Sequence, residues 1–193
     1  LAATSGVDAK RIAQRLVGTT RIGARPAAAD YEALIASETV ADGSPQTSGQ
    51  PYPFFLAHPL AKPPGMFETF LGPIADWLVE WKWDGIRAQL VKRAGQAWLW
   101  SRGEELITEH FPELEQLGLT LPNGSVIDGE VIIWRDERVQ SFAELQRRIG
   151  RKTPGQRLLR ELPALLMAYD LLEEDGADLR HLPGAQRRER LDA

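Results

Sequence analysis

The chain has 193 residues and a mass of 21.5 kDa, enough to bury a core in one domain or in one domain plus part of another. Its 23 Lys+Arg against 27 Asp+Glu leave a formal net charge of −4, so no global charge marks a nucleic-acid or membrane binder, and any polyanion site must be local. The absence of cysteine excludes disulfides, thiolate catalysis and cysteine–zinc sites, and no apolar run approaches the ~20 residues of a membrane span. A cytoplasmic protein is expected, with no membrane partner. The three histidines, His58, His110 and His181, are too widely spaced to suggest a metal site.

Taken from the N-terminus, residues 7–17 (VDAKRIAQRLV) place Ile12, Ala13, Leu16 and Val17 on one helical stripe, with Gly18 as a stop signal. Asp30 to Ser37 forms a second helical candidate, with Tyr31, Leu34 and Ile35 at helical spacing. A stretch rich in Ser, Gly, Pro and Gln follows and reads as a linker over residues 40–52. It separates residues 1–39 from residues 53–193. Beyond it, LVEWKW, IRAQLVKR, QAWLWS, SVIDGEVIIW and PALLMAYDLL are β-type runs punctuated by Asp-Gly, Ala-Gly and Asn-Gly turns. Helical candidates interleave at Glu104–Leu117, Phe142–Ile149, Gln156–Leu162 and Gly184 to the end. The expected class is α+β with antiparallel pairing.

Several polar residues interrupt this pattern. In LVEWKWD, strand alternation sends Val79, Trp81 and Trp83 to a core face and Leu78, Glu80, Lys82 and Asp84 to the other. The charged face is either a solvated hairpin or a site. Glu130 sits within a run that is apolar on both faces, so its carboxylate needs a cation, a metal or a hydroxyl. Asp128-Gly129, taken alone, is an ordinary turn. Tyr169, near the end of ALLMAYDLL, is either a strand tyrosine reaching solvent or an aromatic plate for a flat ligand. Arg102 follows a strand and precedes a helix-like stretch, a position suited to meeting an anion. The segment Gln146–Lys152 offers Arg147, Arg148, Arg151 and Lys152 as candidate grips on DNA phosphates, the alternative being a solvated helix end. The arginines of AQRRER near the C-terminus read as an exposed helix face.

The order Lys82-Trp-Asp84-Gly85-Ile-Arg87, Ser101-Arg102-Gly103, Asp128-Gly129-Glu130 and Tyr169-Asp170 resembles the first half of the adenylation domain of ATP-dependent DNA ligases. The wording is most similar to bacterial members, and the likeness runs from about Pro53 to the C-terminus. It implies an antiparallel-sheet nucleotidyltransferase domain, ATP-grasp-like and incomplete, preceded by a short helical segment from the end of a DNA-binding domain. It further implies ATP and Mg²⁺ as cofactors and nicked duplex DNA as partner.

By the same resemblance Lys82 is the nucleophile that carries AMP. Glu80 hydrogen-bonds the adenine edge, Arg87 and Arg102 hold ribose and phosphate, Glu130 meets the ribose or the metal, and Tyr169 stacks on the base. Asp84 matches a residue that acts later, in nick sealing. A lysine with a solution pKa of ~10.4 is expected to need desolvation or neighbouring cations before it can attack. The family's later E-G-x-x-x-K and K-x-K motifs do not occur, so the chain is expected to be part of a longer ligase. Alone it is expected not to seal nicks and to self-associate. RNA ligases and capping enzymes share the lysine motif, and a DNA-binding fragment without turnover is a further alternative.

Overall fold

A computed structural model of the chain describes residues 2–7, 12, 16, 25–35, 49–151 and 153–193. Most of the helix expected over residues 7–17, most of the linker and Lys152 lie outside the described residues. Among the described residues, the short helices α1 (Ala2–Ser5) and α2 (Ala28–Ile35) have their bounds defined in the N-terminal part, and Asp30 turns back to accept the Ala27 N–H at 2.7 Å at the start of α2. The helix α3 (Phe67–Leu71) and two 3-10 turns, Pro64–Met66 and Ile74–Asp76, follow within a largely extended stretch.

The centre of the molecule is an antiparallel sheet. Its strands are β1 (Ile86–Arg93), β2 (Gln96–Ser101), β3 (Ser125–Arg135), β4 (Arg138–Val139), β5 (Ala164–Glu174) and β6 (Ala177–Asp178). The spatial order is β2-β1-β3-β5-β6, with β4 paired to the far end of β3. Three hairpins have two-residue loops with both central residues at positive φ: Ala94-Gly95, Asp136-Glu137 and Asp175-Gly176. That conformation matches the twist of the flanking strands and fixes their register.

The two faces of the sheet differ. On one, Ala88, Leu90, Leu99, Val131 and Ile133 pack with Ile107, Phe111, Leu114, Leu145 and Leu162, beneath α4 (Pro112–Thr120) and α5 (Phe142–Ile149). On the other, Val91, Trp100, Val126 and Leu172 pack against Tyr52. Alternation along β1 separates the sets, sending Leu90 to the first face and Arg87, Gln89, Val91 and Arg93 to the second. The helices α6 (Gln156–Glu161) and α7 (Gly184–Leu191) complete the chain.

Four expectations are corrected. Residues 78–84 are not a strand, and Trp81, assigned above to the core face, is 83% exposed. The β1–β3 ladder stops at Ile86–Val131, and the Gly85 N–H goes to the Glu130 side chain, so residues 78–84 have no ladder partner among the described residues. The helix expected from Glu104 begins instead at Pro112, because a proline is tolerated at the first helical position and not within the helix. Residues 104–111 serve the edge of β2: Ile107 N–H donates to the Leu99 carbonyl and Thr108 Oγ1 accepts the Leu99 N–H, both at 2.9 Å. Asp128-Gly129 is no turn but the middle of β3, where a Cβ on Gly129 would meet the Met167 carbonyl oxygen at 2.7 Å.

The fourth correction concerns Arg148, which is fully buried and cannot hold DNA. Its guanidinium bridges α4 and α5, pairing with Glu113 at 2.9 Å and donating to the Leu162 and His110 carbonyls at 2.6 and 2.9 Å. It also lies over the Phe111 ring. Arg147 pairs with Glu144 at the surface, and Arg151 is exposed. Removing one member of a buried pair strands the other, so Arg148→Ala is expected to cost about 3–5 kcal/mol of unfolding free energy. Arg147→Ala, which removes an exposed pair, should cost less than about 1 kcal/mol. Urea unfolding of both variants checks this, and an Arg148→Ala protein as stable as the parent would contradict it.

Candidate active site

Where β1, β3 and β5 run side by side, the second face of the sheet opens into a cleft of about 1140 Å³. That is room for a nucleotide-sized ligand. Glu80, Lys82 and Asp84 reach it from the segment ahead of β1, Arg87 from β1, Arg102 from the turn after β2, Glu130 from β3 and Tyr169 from β5. The structure thus gathers seven residues that are up to 89 positions apart in the chain, Glu80 and Tyr169 being the extremes. Phe55, Leu56, Trp81 and Trp83 supply apolar wall.

The floor of the cleft is a polar network. Asp128, 3% exposed, accepts from Arg87 Nε at 3.1 Å and Nη2 at 3.0 Å in a two-pronged pair, and from the Tyr169 hydroxyl at 3.3 Å. Arg87 Nη1 donates to the Phe55 carbonyl, and the guanidinium lies over the Tyr169 and Phe54 rings at 5.9 and 5.7 Å. Burial opposes the charge of Arg87, but the hydrogen bonds and charge of Asp128 outweigh it and hold the guanidinium above its ordinary pKa. Burial, reinforced by the Asp128 charge, also raises the Tyr169 phenol, which stays a neutral donor.

Glu130 is only half-buried, and its Oε1 accepts the Gly85 N–H at 3.2 Å, a backbone partner the sequence did not suggest. Glycine is required there, since a Cβ at Gly85 would collide with the Val131 carbonyl oxygen. Burial raises the Glu130 carboxyl, against the opposing pull of that amide and of the Lys82 and Arg87 charges. Lys82 itself is exposed on the cleft wall, so the expected desolvation by an apolar strand is not what surrounds it. Its positive neighbourhood is Arg87 and Arg102, which share the cleft. Arg102 is exposed, with its backbone N–H fixed to the Arg87 carbonyl at 2.9 Å, and it is followed by a turn rather than a helix.

The C-terminal arginines do not form a free helix face. Arg187 makes a two-pronged pair with Asp170 at 2.7 and 2.8 Å, Arg190 pairs with Glu174, and Arg188 contacts Glu80 at 3.3 Å and Asp192 at 2.9 Å. Helix α7 is therefore tied to β5 and to the mouth of the cleft. Asp128 enters the motif match above but reads as a turn residue by itself. Its signal is its place in an apolar run directly before Gly129, where an acid needs a cation. Gln89 was missed altogether, although alternation puts it on the face of Arg87. Among the described residues, no group of three or more His, Asp or Glu side chains could hold a metal ion. Nor is any helix among them long and apolar enough to cross a membrane.

A family model described as "ATP dependent DNA ligase domain" matches residues 55–193. A probable DNA ligase of Opitutus terrae is 47% identical over 113 residues, covering 58% of this chain and 11% of the relative. One from Koribacter versatilis is 34% identical over 142 residues, covering 74% of this chain and 24% of the relative. The chain thus spans between about a tenth and a quarter of these curated relatives. A structure of mycobacterial DNA ligase D complexed with ATP and MES is 30% identical with a TM-score of 0.48, covering 58% of this chain and 35% of that one.

Two carboxyls are held away from their ordinary range in opposite directions. Glu130 is raised by burial, and the exposed Glu161 is lowered by its hydrogen bond to Arg157. For Glu130 the folded protein binds the proton more readily than the unfolded chain, so its contribution to stability grows as pH falls through that window and is lost as pH rises. Carboxyl NMR titration should show Glu130 protonating at higher pH than Glu161. The reverse order would contradict this account of the cleft.

Proposed function

The chain belongs to the ATP-dependent DNA ligase domain family, and on that premise we propose that it is part of a DNA ligase that takes AMP from ATP onto Lys82 and, as the whole protein, seals nicks in duplex DNA. Residues 53–193 are then the N-terminal portion of the adenylation domain, and residues 1–39 the end of a helical DNA-binding domain, in a cytoplasmic enzyme. The observation that carries the proposal is the placement of Lys82 on one cleft with Arg87, Arg102, Glu130 and Tyr169.

In this reading Lys82 Nζ attacks the α-phosphorus of ATP. A P–N bond forms, the P–O bond to pyrophosphate breaks with its electron pair leaving on pyrophosphate, and Nζ of the exposed Lys82 gives up its proton to solvent water. Lys82 is exposed on the cleft wall, and it shares the cleft with Arg87 and Arg102, so the nucleophile and the phosphate-binding donors face one space. Arg87, fixed by Asp128, and Arg102 present N–H donors to ribose and phosphate, where preorganised donors stabilise the charge that develops during transfer. Glu130 in its ionised form accepts from a ribose hydroxyl, Tyr169 offers its ring to the adenine, and Glu80 its carboxylate to the exocyclic amine. Mg²⁺, when bound, neutralises phosphate charge. Glu130, whose carboxylate lines the cleft, is the residue that would hold it. Asp84, exposed at the cleft, is assigned to the later sealing step. Arg147 and Arg151 remain surface candidates for DNA phosphate, without Arg148.

The exposed Phe55, Ile74, Val79 and Trp81 give the chain an apolar surface that favours self-association when it is isolated. The test of function uses the full-length ligase incubated with labelled ATP and Mg²⁺. An acid-labile AMP adduct is expected on Lys82 by peptide mapping and should be absent in Lys82→Ala. Tyr169→Ala should weaken ATP binding by about 1–3 kcal/mol, the range for losing a stacked aromatic. Mapping the adduct to Lys92 or Lys152, or finding ATP affinity unchanged in Tyr169→Ala, would overturn the respective assignments.

A further inference from the structure

We infer that Gln89 and Tyr52 are positioning residues: they anchor residues 49–55 as a strap across the second face of the sheet, and the end of that strap sets the orientation of Arg87 in the cleft. The inference rests on the proposed role of Arg87 as a nucleotide contact.

Gln89 is 0% exposed and lies two residues beyond Arg87 on the same face of β1. A buried amide must find partners for both its donor and its acceptor. Gln89 finds both on one residue: Oε1 accepts the Tyr52 N–H at 2.8 Å, and Nε2 donates to the Tyr52 carbonyl at 3.1 Å. The side chain thereby offers the strap the pair of bonds that one strand residue would offer another.

Three further ties hold the segment down. Trp100 Nε1 donates to the Gly49 carbonyl at 2.6 Å, Arg93 Nη1 to the Gln50 carbonyl at 2.7 Å, and the Tyr52 hydroxyl to Glu173 at 2.6 Å. Glu173 is itself paired with Arg93 in a buried salt bridge, and Arg180 covers the Tyr52 ring at 4.0 Å. A side chain at Gly49 would run into the Trp98 indole, so the strap lies flat only because that residue is glycine. From Tyr52 the chain needs only two residues to bring the Phe54 ring beside Arg87, and one more for the Phe55 carbonyl to accept from Arg87 Nη1.

A guanidinium is a rigid plane with five N–H donors. Asp128 takes two along one edge and Phe55 takes a third from another nitrogen. The carboxylate alone leaves the arginine free to rock about that edge. The third contact, with the Phe54 ring alongside, stops the rocking and fixes where the two remaining N–H groups point. Those two are what a nucleotide in the cleft would meet. The strap thus connects a buried network at one end of the face to donor geometry at the other.

The test uses the chain as it stands, with Gln89→Met, which keeps the bulk and removes the amide, and Tyr52→Phe, which removes only the hydroxyl and guards against a Gln89 variant that does not fold. Two readouts are taken: phenylglyoxal labelling of Arg87 relative to Arg102, by peptide mass spectrometry, and ATP affinity by calorimetry, with Arg87→Ala as reference. The expected result is faster labelling of Arg87 in both variants and ATP binding weakened about tenfold in Gln89→Met, the scale of loss when a supporting partner of a site residue is removed. Labelling of Arg87 unchanged in both variants, even with a lowered melting temperature, would overturn the inference and leave the network a stability device only. If Arg87→Ala matches the parent in ATP affinity, or the parent binds no ATP, the nucleotide role of Arg87 fails instead, and the labelling still decides whether the strap orients it.

Discussion

The cleft depends on one electrostatic demand, the need to satisfy Asp128 in the middle of β3. A carboxylate that is 3% exposed is costly to ionise unless a cation and further donors meet it. In the β1–β3 register Asp128 lies opposite Gln89 and Glu130 opposite Arg87, so Arg87 reaches diagonally along the ladder to Asp128. The Tyr169 hydroxyl arrives from β5 on the other side. Three strands are thus joined by polar side chains at the point where the second face opens. Glu130, with its neighbouring cation committed to Asp128, takes the Gly85 amide and holds the chain at the bend from which Lys82 projects.

The two faces of the sheet divide the work. The helix-covered face is apolar apart from the buried Arg148–Glu113 pair, which joins α4 to α5. It supplies the burial that keeps the strands in register. The second face is part apolar and part charged, with the Tyr52 cluster at one end and the cleft at the other. Dispersed charges are tolerated there because nearly every one has a partner with good geometry, as in Arg93–Glu173 and Arg87–Asp128. Helix α7 adds a peripheral set of ion pairs that reach Glu80 at the cleft mouth through Arg188. That contact is half-exposed, so it is weak enough to yield to a ligand.

Much of this was legible in the sequence where local pattern and tertiary demand agree. The runs IRAQLVKR, QAWLWS, SVIDGEVIIW and ALLMAYDLL became β1, β2, β3 and β5, because each is a short, largely apolar β-type run of strand length. Phe142–Ile149 became α5 with those bounds, and Glu80, Lys82, Asp84, Arg87, Arg102, Glu130 and Tyr169 came to line one cleft. The failures have a common cause in long-range geometry. LVEWKW alternates like a strand, but a strand needs a ladder partner, and the register ends at Ile86. Glu104–Phe111 has helical spacing, yet the edge of β2 recruits it before Pro112 opens the helix. Arg148 sits in a basic run that suggests solvent, while the helix phase turns it inward onto Glu113. Gln89 carries no sequence signal beyond its parity with Arg87, since its partner Tyr52 lies 37 residues away.

The central claim is that the Arg87 guanidinium, fixed by Asp128, faces a nucleotide in this cleft. The most direct measurement is the NMR spectrum of the arginine Nε–Hε groups of the chain during titration with ATP. The account predicts that the Arg87 and Arg102 signals move together and saturate, while those of the buried Arg93 and Arg148 stay in place. Movement confined to Arg147 and Arg151, with Arg87 unchanged at saturating ATP, would contradict it.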